Sequence, residues 1–117
     1  MTRLNTVSAW IGRYRAACES NDPADIAGLF TPTAEYFPEP YAVPWHGRDA
    51  IVAGWLARPR EPGEATFEWH PVAITDYVAV VQGSTVHPDK KFSHMWVIHL
   101  DNVGDCQVFT EWRMQQP

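Results

Sequence analysis

Apolar positions follow a helical period in the first half of the chain and alternate in the second. Val7, Trp10, Ile11, Tyr14, Ala17 and Cys18 recur at spacings of three and four, one stripe of a helix over residues 6–20 with Arg13, Arg15, Glu19 and Ser20 off it. Asn5 or Thr6 is the expected N-cap. Asn21-Asp22-Pro23 stops this helix and starts a short second one, with Asp22 as cap, Pro23 in the first turn, and Ile26, Leu29 and Phe30 turned inward. A short strand is expected at 34–37. Gly47 opens a third helix whose buried face is Ile51, Val52, Trp55 and Leu56, ending near Arg58 because Pro59 follows. Between them, residues 38–45 hold three prolines with Glu39, Tyr41 and Trp45, a stiff aromatic loop suited to binding. Residues 58–63 are expected as a solvated turn. From Ala65 onward four β segments follow, at 65–75, 77–87, 92–100 and 105–114. The expected fold class is α+β: a single domain over residues 1–117, three N-terminal helices packed on a strongly curved antiparallel sheet.

The last two segments form a hairpin around 101–104, where Gly104 supplies the positive φ of a tight loop. With Leu100 opposite Asp105, Phe92, His94, Trp96 and Ile98 share a face with Gln107, Phe109, Glu111 and Arg113. His94 then lies across from Glu111, and Trp96 across from Phe109; a one-residue bulge would displace both pairs. A histidine beside a carboxylate on an aromatic face is the best candidate for proton transfer. The other face carries Met95, Val97, His99, Cys106, Val108, Thr110 and Trp112, so both faces need cover.

Composition narrows the function. A formal charge of -5, with nine Lys and Arg scattered along the chain, argues against a nucleic-acid partner. No basic amphipathic or long apolar segment suggests a membrane, which leaves a cytoplasmic protein by default. Cys18 and Cys106 are expected as buried, reduced thiols. No histidine pair has metal-ligand spacing, and there is neither a phosphate loop nor a nucleophile elbow, so no metal and no cofactor is expected. Six tryptophans serve equally to wall a pocket or to fill a core.

Arg13-Tyr14, Asn21-Asp22-Pro23, Asp25-Ile26, Leu29-Phe30, Gly47-Arg48-Asp49-Ala50-Ile51 and Phe109-Thr110-Glu111-Trp112 together resemble the nuclear-transport-factor-2-like superfamily. Within it, the chain is similar to the SnoaL-like polyketide cyclases and to ketosteroid isomerase. The resemblance spans nearly the whole chain. It implies a cone-shaped, cystatin-like domain with a pocket between helices and sheet, and a homodimer through the outer sheet face. Tyr14 stands where the isomerase has its oxyanion-binding tyrosine. The catalytic aspartate would fall at Pro38, with Glu39 one residue later, and the second acid near Trp96; these departures count against steroid isomerisation. The expected catalytic groups are Glu111, His94 and Tyr14. The expected pocket walls are Trp10, Phe30, Tyr36, Glu39, Tyr41, Trp45, Trp55, Trp96 and Phe109, around a small and mostly apolar molecule. Two functions stay open: acid/base catalysis of isomerase, cyclase or dehydratase type, or a non-catalytic ligand-binding or accessory module.

Overall fold

A computed structural model describes residues 3–117. Three helices, α1 (Leu4–Ser20), α2 (Pro23–Ala27) and α3 (Arg48–Ala57), pack into the concave side of one six-stranded sheet. Its strands are β1 (Phe30–Phe37), β2 (Trp45–His46), β3 (Phe67–Ile74), β4 (Val78–Val86), β5 (Lys91–Leu100) and β6 (Cys106–Gln115), in the spatial order β2-β1-β6-β5-β4-β3. β3, β4, β5 and β6 form an antiparallel meander, while β1 joins β6 in parallel. No helix among the described residues is long and apolar enough to cross a membrane.

All six apolar positions of the α1 stripe are buried. The helix begins earlier than its polar residues suggest: its N-cap is Arg3, whose carbonyl accepts from the Val7 N–H at 3.0 Å, and neither Asn5 nor Thr6 caps it. Its end follows the sequence signal. Asn21 adopts left-handed backbone (φ 50°), and the Asp22 side chain caps α2 by accepting from the Ala24 N–H at 2.8 Å. α2 stops at Ala27, so Phe30 belongs to β1 rather than to the helix; Leu29 already accepts from the Cys106 N–H at 2.8 Å, which starts the β1–β6 pairing. In α3, Ile51 and Trp55 are buried, Val52 is half-buried, and Leu56 is turned to solvent.

The hairpin departs from the expected register in two steps. Leu100 pairs with Cys106 instead of Asp105, and a bulge at Gln107 shifts the ladder again, giving His99↔Val108, Ile98↔Phe109, Trp96↔Glu111 and His94↔Arg113. Each step moves the pairing by one residue, and one step alone would have turned Glu111 outward. Together they preserve the faces beyond the bulge. His94, Trp96, Ile98, Phe109 and Glu111 all point into the core, with Glu111 one diagonal step from His94. Below the bulge the assignment reverses, so Cys106 is buried and Gln107 is exposed.

Candidate active site

The core under the sheet is a continuous aromatic stack centred on Tyr14, whose ring lies 5.4 to 6.0 Å from those of Trp10, Trp55, Phe67, Trp96 and Phe109. Packing of this kind fills the interior, and the cavity beneath it holds only about 20 Å³, space for about one water. Tyr14, Cys18, Thr85, His94, Trp96 and Glu111 are among its walls. Trp10 does not reach it: its indole N–H is spent on the Leu29 carbonyl at 3.0 Å, and its faces are covered by Tyr14, Phe30 and Phe109. Phe30 and Phe109 are likewise fully buried core rings that line neither this cavity nor the larger one beside it.

That larger cavity, about 410 Å³, opens at the mouth of the cone. Tyr36 from β1, Pro38, Trp45, Gly54 and Trp55 from α3, and the segment Arg58, Pro59, Arg60, Glu61 form its wall, with Glu64, Glu111 and Arg113 on its inner side. Trp45 lies flat between the Tyr36 ring, 4.8 Å away, and the backbone at Gly54, where a Cβ would sit 2.5 Å from the indole; only glycine permits that approach. The 38–45 loop contributes its ends alone. Tyr41 takes φ 67° at the tip of the turn and is 99% exposed, and Glu39 beside it is also exposed, so neither lines the cavity.

Glu111 and Arg113 from β6 and Arg60 and Glu64 from the loop line both cavities. Glu111 is only 6% exposed, and its Oε2 accepts from the Trp96 indole N–H at 2.8 Å. His94 stacks on the Trp96 ring and brings Nδ1 to 4.0 Å from the same oxygen, while its Nε2 shares a 2.9 Å hydrogen bond with Thr85 Oγ1. Nδ1 itself is buried with no hydrogen-bond partner. Burial lowers the His94 pKa and the Glu111 carboxylate opposes the shift, leaving a net depression and a neutral imidazole near pH 7. The direction of the Thr85 bond follows the tautomer, and the tautomer protonated on Nδ1, with Thr85 donating to Nε2, is the one that turns an N–H toward the Glu111 oxygen. Burial pushes the Cys18 thiol up to about 11, which removes it as a nucleophile. It also raises the hydroxyls of Tyr14 and Tyr36, against the pull of Arg60, so both phenols stay protonated.

Arg60 is the residue that a solvated turn would have hidden. Its side chain is 19% exposed; Nη2 donates to the Tyr36 hydroxyl at 2.7 Å, Nη1 reaches Glu64 at 3.5 Å, and the guanidinium lies 4.9 Å over Trp55. The backbone is fixed by Asn21, whose Oδ1 accepts from the Arg60 N–H and from the Trp55 indole at 2.9 Å and whose Nδ2 donates to the Arg60 carbonyl at 3.0 Å. Nothing local in the sequence predicts a bond from residue 21 to residue 60. Thr85 was also missed, although the alternation Ala79, Val81, Gly83, Thr85 along β4 puts it on the inner face.

Solved structures share this architecture. An NTF-2 like protein of unknown function from Burkholderia xenovorans superposes with TM-score 0.75 at 14% identity, covering 98% of this chain and 88% of that one. A bacterial protein with a cystatin-like fold from Silicibacter pomeroyi gives 0.66 at 18% identity, covering 90% and 73%. A steroid delta-isomerase from Pseudomonas aeruginosa gives 0.66 at 15% identity, covering 96% and 81%. At such identities the likeness is one of fold. Among curated proteins none matches the sequence. Residues 11–109 match the SnoaL-like domain model, and with that span covering most of its length the chain belongs to the SnoaL-like family.

Proposed function

We propose that the protein binds a small organic molecule in the mouth cavity and moves a proton between two atoms of it, with Glu111 as the base and His94 as its support. The observation that carries this is the position of Glu111, a nearly buried carboxylate at the floor of the mouth cavity with one oxygen held by Trp96. An isomerase of this kind takes a proton from one atom and returns it to another, so Glu111 ends each cycle as it began. Tyr36, Trp45 and Trp55 border the cavity by their edges, since Tyr36 is stacked between Trp45 and Phe109, Trp45 is held between Tyr36 and Gly54, and Arg60 lies over Trp55. Tyr14 contributes packing beneath the carboxylate. A homodimer through the outer face of β5 and β6 is part of the same proposal, because Met95, Trp112 and Met114 stand 37, 47 and 67% exposed there beside Val97 and Val108. The buried free thiols of Cys18 and Cys106 suit a reducing compartment, and we assign the protein to the cytoplasm.

Mass spectrometry of the small molecules released from the purified protein on denaturation supplies a ligand. Incubated with it in D2O, the native protein is expected to catalyse deuterium incorporation, and Glu111→Gln to bind equally while losing exchange by about 100-fold or more. Binding without exchange in the native protein would leave a non-catalytic ligand module. The absence of any copurified ligand, together with no binding at the mouth, would end the proposal.

A further inference from the structure

Arg60 has more hydrogen-bonding capacity than the protein uses. A guanidinium carries five N–H groups in a planar fork, and among the described residues this one makes a 2.7 Å bond to a neutral phenol and a 3.5 Å contact with Glu64, long for a charge-assisted pair. Its face is taken by Trp55. Arg60 lines both the inner cavity and the mouth cavity, and of the two only the mouth has room for a ligand beside it. Arg113 lines the same cavity with its guanidinium 4.0 Å over Phe92 and no carboxylate partner among the described residues, and Arg58 completes a set of three cations on the wall. Three carboxylates share that wall, Glu61, Glu64 and Glu111, so its charges balance, and what sets Arg60 apart is its unused donors.

We propose that the ligand of the mouth cavity is a small organic acid, its carboxylate read by the Arg60 fork with Arg113 alongside, and its body against the edges of Tyr36, Trp45 and Trp55. This rests on the mouth cavity being the ligand site and adds the chemical class. A carboxylate matches the planar fork in a way that an ammonium-like point charge cannot, and a desolvated guanidinium gives its strongest bond to such a partner. The inner cavity of about 20 Å³ admits no ligand body, so the acid enters with its carboxylate inward and its body at the mouth, where about 410 Å³ accommodates one or two rings.

The test uses matched acids and amides, benzoate against benzamide and cinnamate against cinnamamide, titrated into the isotopically labelled full chain. The readout is the indole N–H signals of Trp45 and Trp55. The acids are expected to shift both signals to saturation and the amides to bind about tenfold more weakly or worse, because the amide is neutral and sets an NH2 donor where the carboxylate has its second acceptor oxygen. Arg60→Gln is expected to bring the acids down to the amide level, and Arg60→Lys to recover only part of the preference. The comparison on the native chain decides the matter even if those variants fold poorly. Amides binding as tightly as acids would overturn the role of Arg60 while leaving the mouth cavity as the ligand site. Neither class shifting the Trp45 and Trp55 signals would remove both.

Discussion

Replacing Asn21 tests how the mouth is held together. Its side chain makes the three hydrogen bonds to Trp55 and to both backbone groups of Arg60, and its own backbone sits at φ 50°. Each bond is worth about 1 kcal/mol net, and somewhat more where its loss strands a partly buried donor. Water at the mouth recovers part of that, which leaves about 2 to 3 kcal/mol for the side chain. Alanine adds a backbone penalty of about 1 kcal/mol, because a Cβ without a compensating polar group is disfavoured in the left-handed region. Glycine loses the same bonds without that penalty. Asn21→Ala should therefore lose about 3 to 4 kcal/mol and Asn21→Gly about 1 kcal/mol less, measured by urea unfolding with unchanged slope. Trp55 emission should shift in both variants as its indole N–H meets water. A loss below about 1 kcal/mol in Asn21→Ala would show that Arg60 and Trp55 keep their places without Asn21, and equal losses in the two variants would remove the backbone part of the reasoning.

Gly54→Ala should cost about 1 to 3 kcal/mol by overpacking against Trp45, and its indole N–H signal should move even if the cost is small. The depressed pKa of His94 predicts a pH dependence of known sign: below its ordinary value of 6.5 the unfolded chain takes up the proton first, so stability present at pH 7.5 should be lost as pH falls through the folded value. Urea midpoints at pH 7.5 and 5.0 should differ less in His94→Phe than in the native chain, and an equal difference would detach the effect from His94. Val97→Lys places a charge in the middle of the outer sheet face and should turn a dimer into a monomer in sedimentation, with the monomer still folded. A native chain sedimenting as a monomer at micromolar concentration would dispose of the dimer itself.

The helical stripe of α1, the Asn21-Asp22-Pro23 break and the strand alternation were legible because each depends on residues a few positions apart. The facing of His94 and Glu111 was legible for a narrower reason. Side chains alternate with period two, and the loop shift and the bulge at Gln107 sum to an even step. Their direct opposition was not legible, since a bulge leaves no mark in a single strand's pattern. Trp10, Phe30 and Phe109 show the limit of composition: an aromatic ring carries no sign of whether its neighbour will be another ring or empty space. The choice was made by Tyr14, around which the rings close. Arg60 escaped notice because charge between two prolines reads as surface. Its burial is fixed by an asparagine 39 positions away and a tyrosine 24 positions away.

The parallel pairing of β1 with β6 also sets an order of events. β1 has only the two-residue strand β2 as a local partner, and its long neighbour β6 comes after β3, β4 and β5 in the chain. Closing a loop of that length is among the slower steps open to a small domain, and the preceding meander from β3 to β6 can zip by short hairpins in the meantime. Tyr36 stands on β1 and Glu111 on β6. The two sides of the mouth cavity therefore come together only in the step that pairs β1 with β6, after the meander between them has formed.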